Sequence, residues 1–263
     1  MNQTNTSVAP KRELSFAPGP ACLERLPELI ATGIALAAAG VSPLMFVAEA
    51  AGYGSMNFYA KFALLPAIVA LIVIAAIARL KNWDSLYHGM TVAAVAGPLA
   101  AVGLEAVRVI GFRVFHAMPG SMPMLMGVLI TDRFLLGPNL WSNLVGWGDH
   151  VLVNGFGFAL VYVLFFGRPR WWMGVPYGWI IATIFMTSPA MTMLGDIGYF
   201  GHAIGPRFAI TVYSAHTVFG LVLGAIVARW GRDSGPLWRR HLGGCTTRKV
   251  NRLLNPNQGS PAR

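Results

Sequence analysis

The sequence predicts an all-α polytopic membrane protein with six transmembrane helices and one short external segment that is re-entrant or interfacial. Three observations predict it. Of the 263 residues, 55% are hydrophobic and only 11% charged, with a mean hydropathy of +0.57, outside the range of a soluble domain. Six runs approach the roughly 20 apolar residues that cross a bilayer: Leu29–Ala51, Tyr59–Ala78, Gly89–Ile110, Leu144–Gly167, Met173–Leu194 and Phe208–Ala228. Finally, Lys and Arg are distributed unevenly between the connecting segments, as the retention of positive charge on the cytoplasmic side requires.

Residues 1–28 are polar and contain proline, with no short apolar core of a cleavable signal ahead of the first span. They read as a cytoplasmic tail preceding a 29–230 transmembrane domain. Ala48-Glu49-Ala50 has the small-residue pattern of a cleavage site and is the one alternative to an uncleaved first span. Segment 112–143 interrupts the spans. Its apolar part, Met122 to Gly137, is short for ~30 Å of hydrocarbon and carries Asp132 and Arg133.

If this segment does not cross, fifteen of the twenty Lys and Arg residues fall on the inner side: Lys11, Arg12, Arg25, Arg79, Lys81, Arg168, Arg170 and eight from Arg229 onward. A crossing would invert the N-terminal half and send Lys11, Arg12, Arg79 and Lys81 outside. The six-span arrangement therefore places both termini in the cytoplasm of a bacterial-type inner (plasma) membrane, with Trp141, Trp147, Trp171, Trp172 and Trp230 in interfacial belts. The basic tail 231–263 is expected to be disordered against anionic lipid. Membrane topology accounts for most of the +10 charge, so nucleic acid is not an expected partner; glycine-rich helix faces allow a homo-oligomer or a membrane-complex partner. Cys22 and Cys245 are single thiols without a C-x-x-C motif, which points away from a disulfide framework or c-type haem. No G-x-S-x-G, G-x-x-x-x-G-K-[ST] or H-E-x-x-H motif is present to support soluble hydrolase or nucleotide chemistry.

Ionisable residues inside spans are costly and mark function. At 1.5 Å per residue, Glu49 falls about one turn below the outer surface, Glu105 and His150 roughly 9 Å below it and His216 roughly 13 Å below. Four helices thus contribute to one outer-leaflet layer, with Asp149 and Asp196 at its edge. Simpler roles exist for each: Glu105 can pair with Arg108 at i, i+3, Asp149 and His150 can be wetted at the interface, and Glu49 can end a helix. His216 is the hardest to explain so, because it opens the face His216, Gly220, Gly224, whose spacing admits a close neighbouring backbone. His150, Asn154 and Gly157 make a comparable face, and the loose match between these two helices is compatible with an internal repeat.

Methionine adds a second signal. His116, Met118, Met122, Met124 and Met126 lie within eleven residues, and Met45, Met56, Met191 and Met193 also fall towards the outside. Thioethers are soft donors that suit Cu(I), although Met is also an ordinary apolar filler. The alternation Met122, Met124, Met126 fits an extended strand or loop better than one helix face.

These residues predict a metal ion, copper favoured, held or moved by Glu49, Glu105, His116, Met122, Met124, Met126, His150 and His216. Two other classes fit. One is a membrane redox protein with His150 and His216 ligating b-type haem or joining a carboxylate-histidine metal centre. The other is a proton-coupled small-solute transporter, with Glu105 and His216 as relay and Pro43, Pro66, Pro98 and Pro189 as helix breaks, or an accessory subunit.

Overall fold

The computed structural model describes residues 26–232; the expected terminal tails, with Cys22 and Cys245, lie outside them apart from 26–28, which open the first helix, and 231–232. Among the described residues every regular element is a helix. Leu26–Ala39 (α1) and Val41–Ala50 (α2) are joined at Gly40 with a 42° bend. Met56–Leu80 (α3), Asp84–Arg113 (α4), Leu140–Phe166 (α6) and Pro206–Trp230 (α9) are each long and apolar enough to cross a membrane, and the bent α1–α2 pair makes a fifth if it is counted as one span. Between them lie Met122–Ile130 (α5), Gly174–Met186 (α7) and Ala190–Met193 (α8).

Local chemistry sets these boundaries. Ser55 caps α3 by accepting the Phe58 N–H at 3.2 Å, and Asn139 and Ser142 form a reciprocal capping box at the start of α6. The expected span over Met173–Leu194 is helical only to Met186. Thr187 and Ser188 then hydrogen-bond the Thr183 and Phe185 carbonyls, and Pro189 has no N–H with which to continue. The expected breaks at proline are met unevenly. Pro189 lies at one, Pro43 follows the Gly40 bend, and Pro66 follows a π-helical turn over Ala60–Leu64, but α4 runs unbroken through Pro98.

The Met122–Met126 stretch corrects the expectation of an extended strand or loop. It is helical, with Pro123 in its first turn, where a missing N–H costs nothing. Met122 and Met126 therefore share one buried face, while Met124 is 37% exposed on another.

Helix α4 is the centre of the bundle, packed between α6 and α9; α7 lies along α9, and α3 is peripheral beside α1. Glycine makes these contacts close. A β-carbon on Gly97 would collide with the Gly155 carbonyl, joining α4 to α6; one on Gly220 would collide with the Gly174 carbonyl, joining α9 to α7. The expected Gly220, Gly224 face thus does receive a neighbouring backbone. Gly174 of α7 lies against Gly220 and the Trp171 carbonyl against Gly224, while Gly178, four residues after Gly174, lies against His216.

Adding a methyl at this crossing forces α7 and α9 apart. Gly220→Ala is expected to cost about 1–3 kcal/mol, whereas Gly33→Ala, exposed on α1 with nothing nearby, should be neutral or slightly stabilising. Thermal unfolding in detergent, followed by circular dichroism, checks the difference.

Candidate functional site

The site grows from one buried carboxylate. Glu105 and Arg108 are one turn apart on α4, and Arg108 Nη1 donates to Glu105 Oε1 at 2.7 Å. The Nε2 of His150, on α6, lies 2.9 Å from the same oxygen. All three belong to long apolar helices, where an unpaired charge would be strongly disfavoured, so the carboxylate and guanidinium stabilise one another and orient the imidazole. A carboxylate only accepts, so the His150 proton in this bond is on Nε2. Its Nδ1 is buried and has no hydrogen-bond partner.

His216, on α9, has the complementary arrangement. Its Nδ1 lies 2.8 Å from the Val212 carbonyl oxygen, which also only accepts. In the neutral ring the lone pair is therefore on Nε2. Two imidazoles from two helices each give one N–H to a fixed acceptor and keep a bare nitrogen, the arrangement by which proteins orient histidine towards a metal or a hydrogen-bond donor.

Both histidines line one cavity of about 110 Å³. Arg108, Met122, Met126 and Asn154 also line it, and the remaining wall is largely aliphatic and aromatic, including Phe46, Phe185 and Phe219. The structure thus brings together five of the expected residues. His150, His216, Met122 and Met126 line the cavity, and Glu105 holds His150 from behind.

The others are elsewhere. Glu49 Oε2 accepts the Met56 N–H at 2.7 Å across the α2–α3 turn, matching its simpler reading as a helix-end residue. His116 is an exposed residue of the α4–α5 connection with φ of +48°. Met124 points away from the cavity face of α5, and Asp196 is exposed. Among the described residues no three His, Cys, Asp or Glu side chains are grouped to hold a metal ion. Any ion in this cavity would therefore depend on the thioethers as well as the imidazoles.

One element was not readable in advance. Gly148–Asn154 is π-helical, which widens the turn. This winding brings Asp149, His150 and Asn154 to the interior together. Asp149 is only 5% exposed, contrary to an interfacial wetted position; its Oδ1 accepts from Ser42 Oγ at 2.8 Å, tying α2 to the π-turn, and Asn154 Nδ2 approaches Oδ2 at 3.4 Å. Gly148, its first residue, and Gly155, which follows it, are the only trace of it in the sequence.

Comparison with family models, with curated proteins and with solved structures finds no match to this chain.

Removing Glu105 leaves both Arg108 and His150 buried without their shared acceptor. Glu105→Ala is expected to lose about 3–5 kcal/mol, and Glu49→Ala only about 1 kcal/mol, as for a lost cap. The order of the two thermal midpoints in detergent tests whether Glu105 is the structural centre of the site.

Proposed function

We propose that the chain binds a soft monovalent metal ion, Cu(I), in this cavity, and holds it for transfer across or along the membrane. The observation that carries the reading is the pair of oriented imidazoles, His150 with Nδ1 buried and unpartnered and His216 with Nε2 left free by the Val212 bond, on two residues that line one cavity together with Met122 and Met126. Thioethers are the soft donors that favour Cu(I), and imidazole accepts copper among several metals.

Charge favours the same ion. Glu105 is already neutralised by Arg108, so no free carboxylate lines the cavity to offset a divalent ion, whereas a monovalent ion with neutral donors needs less compensation in an apolar setting. Size argues against haem. About 110 Å³ is well under the roughly 300–1,000 Å³ of ordinary small-molecule pockets, so an ion is better accommodated than a macrocycle.

Topology completes the reading. Trp171–Met186 is 16 helical residues, about 24 Å long, with tryptophans at its start and a glycine contact along α9; we read it as a sixth crossing. Helix α5, nine residues or about 14 Å, does not reach across. Six crossings place both termini on the side that holds fifteen of the twenty Lys and Arg residues, which supports a cytoplasmic location for both and an outer-leaflet position for the cavity.

Competition titration of detergent-purified protein with a chromogenic Cu(I) chelator tests the proposal. His216→Ala and His150→Ala are each expected to lower bound Cu(I) several-fold without loss of membrane insertion. Met122→Leu with Met126→Leu, nearly volume-conserving, is expected to weaken Cu(I) capture, and Met124→Leu to leave it unchanged. Full Cu(I) binding in both histidine variants would overturn the reading.

A further inference from the structure

The turn between α5 and α6 exposes the most concentrated apolar surface on any connection of the described chain. Phe134, Leu135 and Leu136 are 62%, 95% and 72% exposed, and Leu140 at the start of α6 is 77% exposed, with Trp141 beside it. These side chains are not on a loose strand. The Arg133 N–H donates to the Val128 carbonyl at 2.7 Å and the Leu136 N–H to the Arg133 carbonyl at 3.0 Å. Below the turn, the two helices touch backbone to backbone: a β-carbon on Gly127 would collide with the Ser142 carbonyl, and one on Gly146 with the Pro123 carbonyl. The hairpin is therefore a rigid support that presents a row of large apolar groups outward.

What covers this row follows from continuity. Leu140 and Trp141 form the first turn of α6, a helix long and apolar enough to cross the bilayer, so the turn immediately before them lies where that helix leaves the hydrocarbon. Arg133 adds the polar part. It makes no ion pair or side-chain hydrogen bond in the described structure, and its Nε is buried without a partner. A row of acyl-compatible side chains with one unpaired guanidinium at its edge matches a phospholipid, whose phosphate takes charged hydrogen bonds and whose chains take the apolar groups.

We infer that the 131–141 hairpin turn is a lipid anchor. Phe134, Leu135, Leu136 and Leu140 enter the acyl-chain region, Trp141 lies at the headgroup level and Arg133 reaches up to the phosphates. The anchor has a consequence for the interior, because Met122 and Met126 are on the same hairpin: its seating in lipid fixes one wall of the cavity. The inference does not rest on copper binding, and either can fail alone.

The test places an environment-sensitive nitrobenzoxadiazole label at Leu135→Cys in full-length protein whose Cys22 and Cys245 are serine, reconstituted in phosphatidylcholine/phosphatidylglycerol vesicles. Expected are blue-shifted emission, quenching by lipids carrying a nitroxide on the acyl chain, and loss of quenching by aqueous iodide. Iodide quenching with water-like emission would overturn the anchor; shielding from both quenchers would overturn it in favour of a protein partner or a second copy on this face. In Arg133→Gln, iodide access to the label is expected to rise, and unchanged access would remove Arg133 from the anchor.

Discussion

The arrangement around the cavity depends on the three-way contact of Glu105 with Arg108 and His150. A carboxylate this deep among apolar helices is tolerated only with a cation beside it, and Arg108, one turn away on the same helix, supplies it without any demand on the fold. The third partner comes from α6. Because α4 is packed against both α6 and α9, the carboxylate on α4 fixes one histidine directly, while the second is aimed by its own helix through the Val212 carbonyl. The two rings are thus oriented by independent means, one electrostatic and one by the helix backbone.

Close helix approach makes that orientation possible, and it comes from residues that carry no chemistry. Gly97 and Gly155 let α4 and α6 meet at backbone distance, within three residues' rise of the π-turn that turns His150 inward. On the other side, Gly178 lies against the His216 carbonyl itself, so α7 packs against the backbone of the residue that faces the cavity. Helix association in lipid gains little from hydrophobic burial and relies on contact area. The same glycines that stabilise the bundle also bring the polar groups within reach of one another.

Much of this was legible in the sequence, and the parts that were not have identifiable causes. Apolar length alone located Met56–Leu80, Asp84–Arg113, Leu140–Phe166 and Pro206–Trp230 to within a few residues, because a long hydrocarbon path leaves no other solution. It overran the end of the fifth run, whose helix stops at Met186, since hydropathy does not register the hydroxyls of Thr187 and Ser188 competing for helix carbonyls. It also misjudged Met122 to Met126. Residues at i, i+2 and i+4 satisfy a strand template, but their outer pair also satisfies a helix, and only the folded context chooses. Glu49 and Glu105 looked alike in depth and charge. What separates them is that a backbone N–H lies within reach of one and an arginine and histidine within reach of the other.

The methionines show why packing and the proposed ligand role need not compete here. Met45, Met56, Met118, Met122, Met126, Met186 and Met191 belong to one buried cluster with Phe46, Phe208 and Val212, so most of them touch other apolar side chains and fill irregular space as thioethers do well. Met122 and Met126 do this and also reach the cavity with the two imidazoles. A flexible, unbranched wall can close on an ion or relax to cover its absence with little rearrangement of the helices, which a wall of leucine or valine could not do. On the proposed reading, oriented imidazoles combined with adaptable thioethers would give a site that is already set yet can open, a useful combination where an ion must be both held and released in an apolar medium.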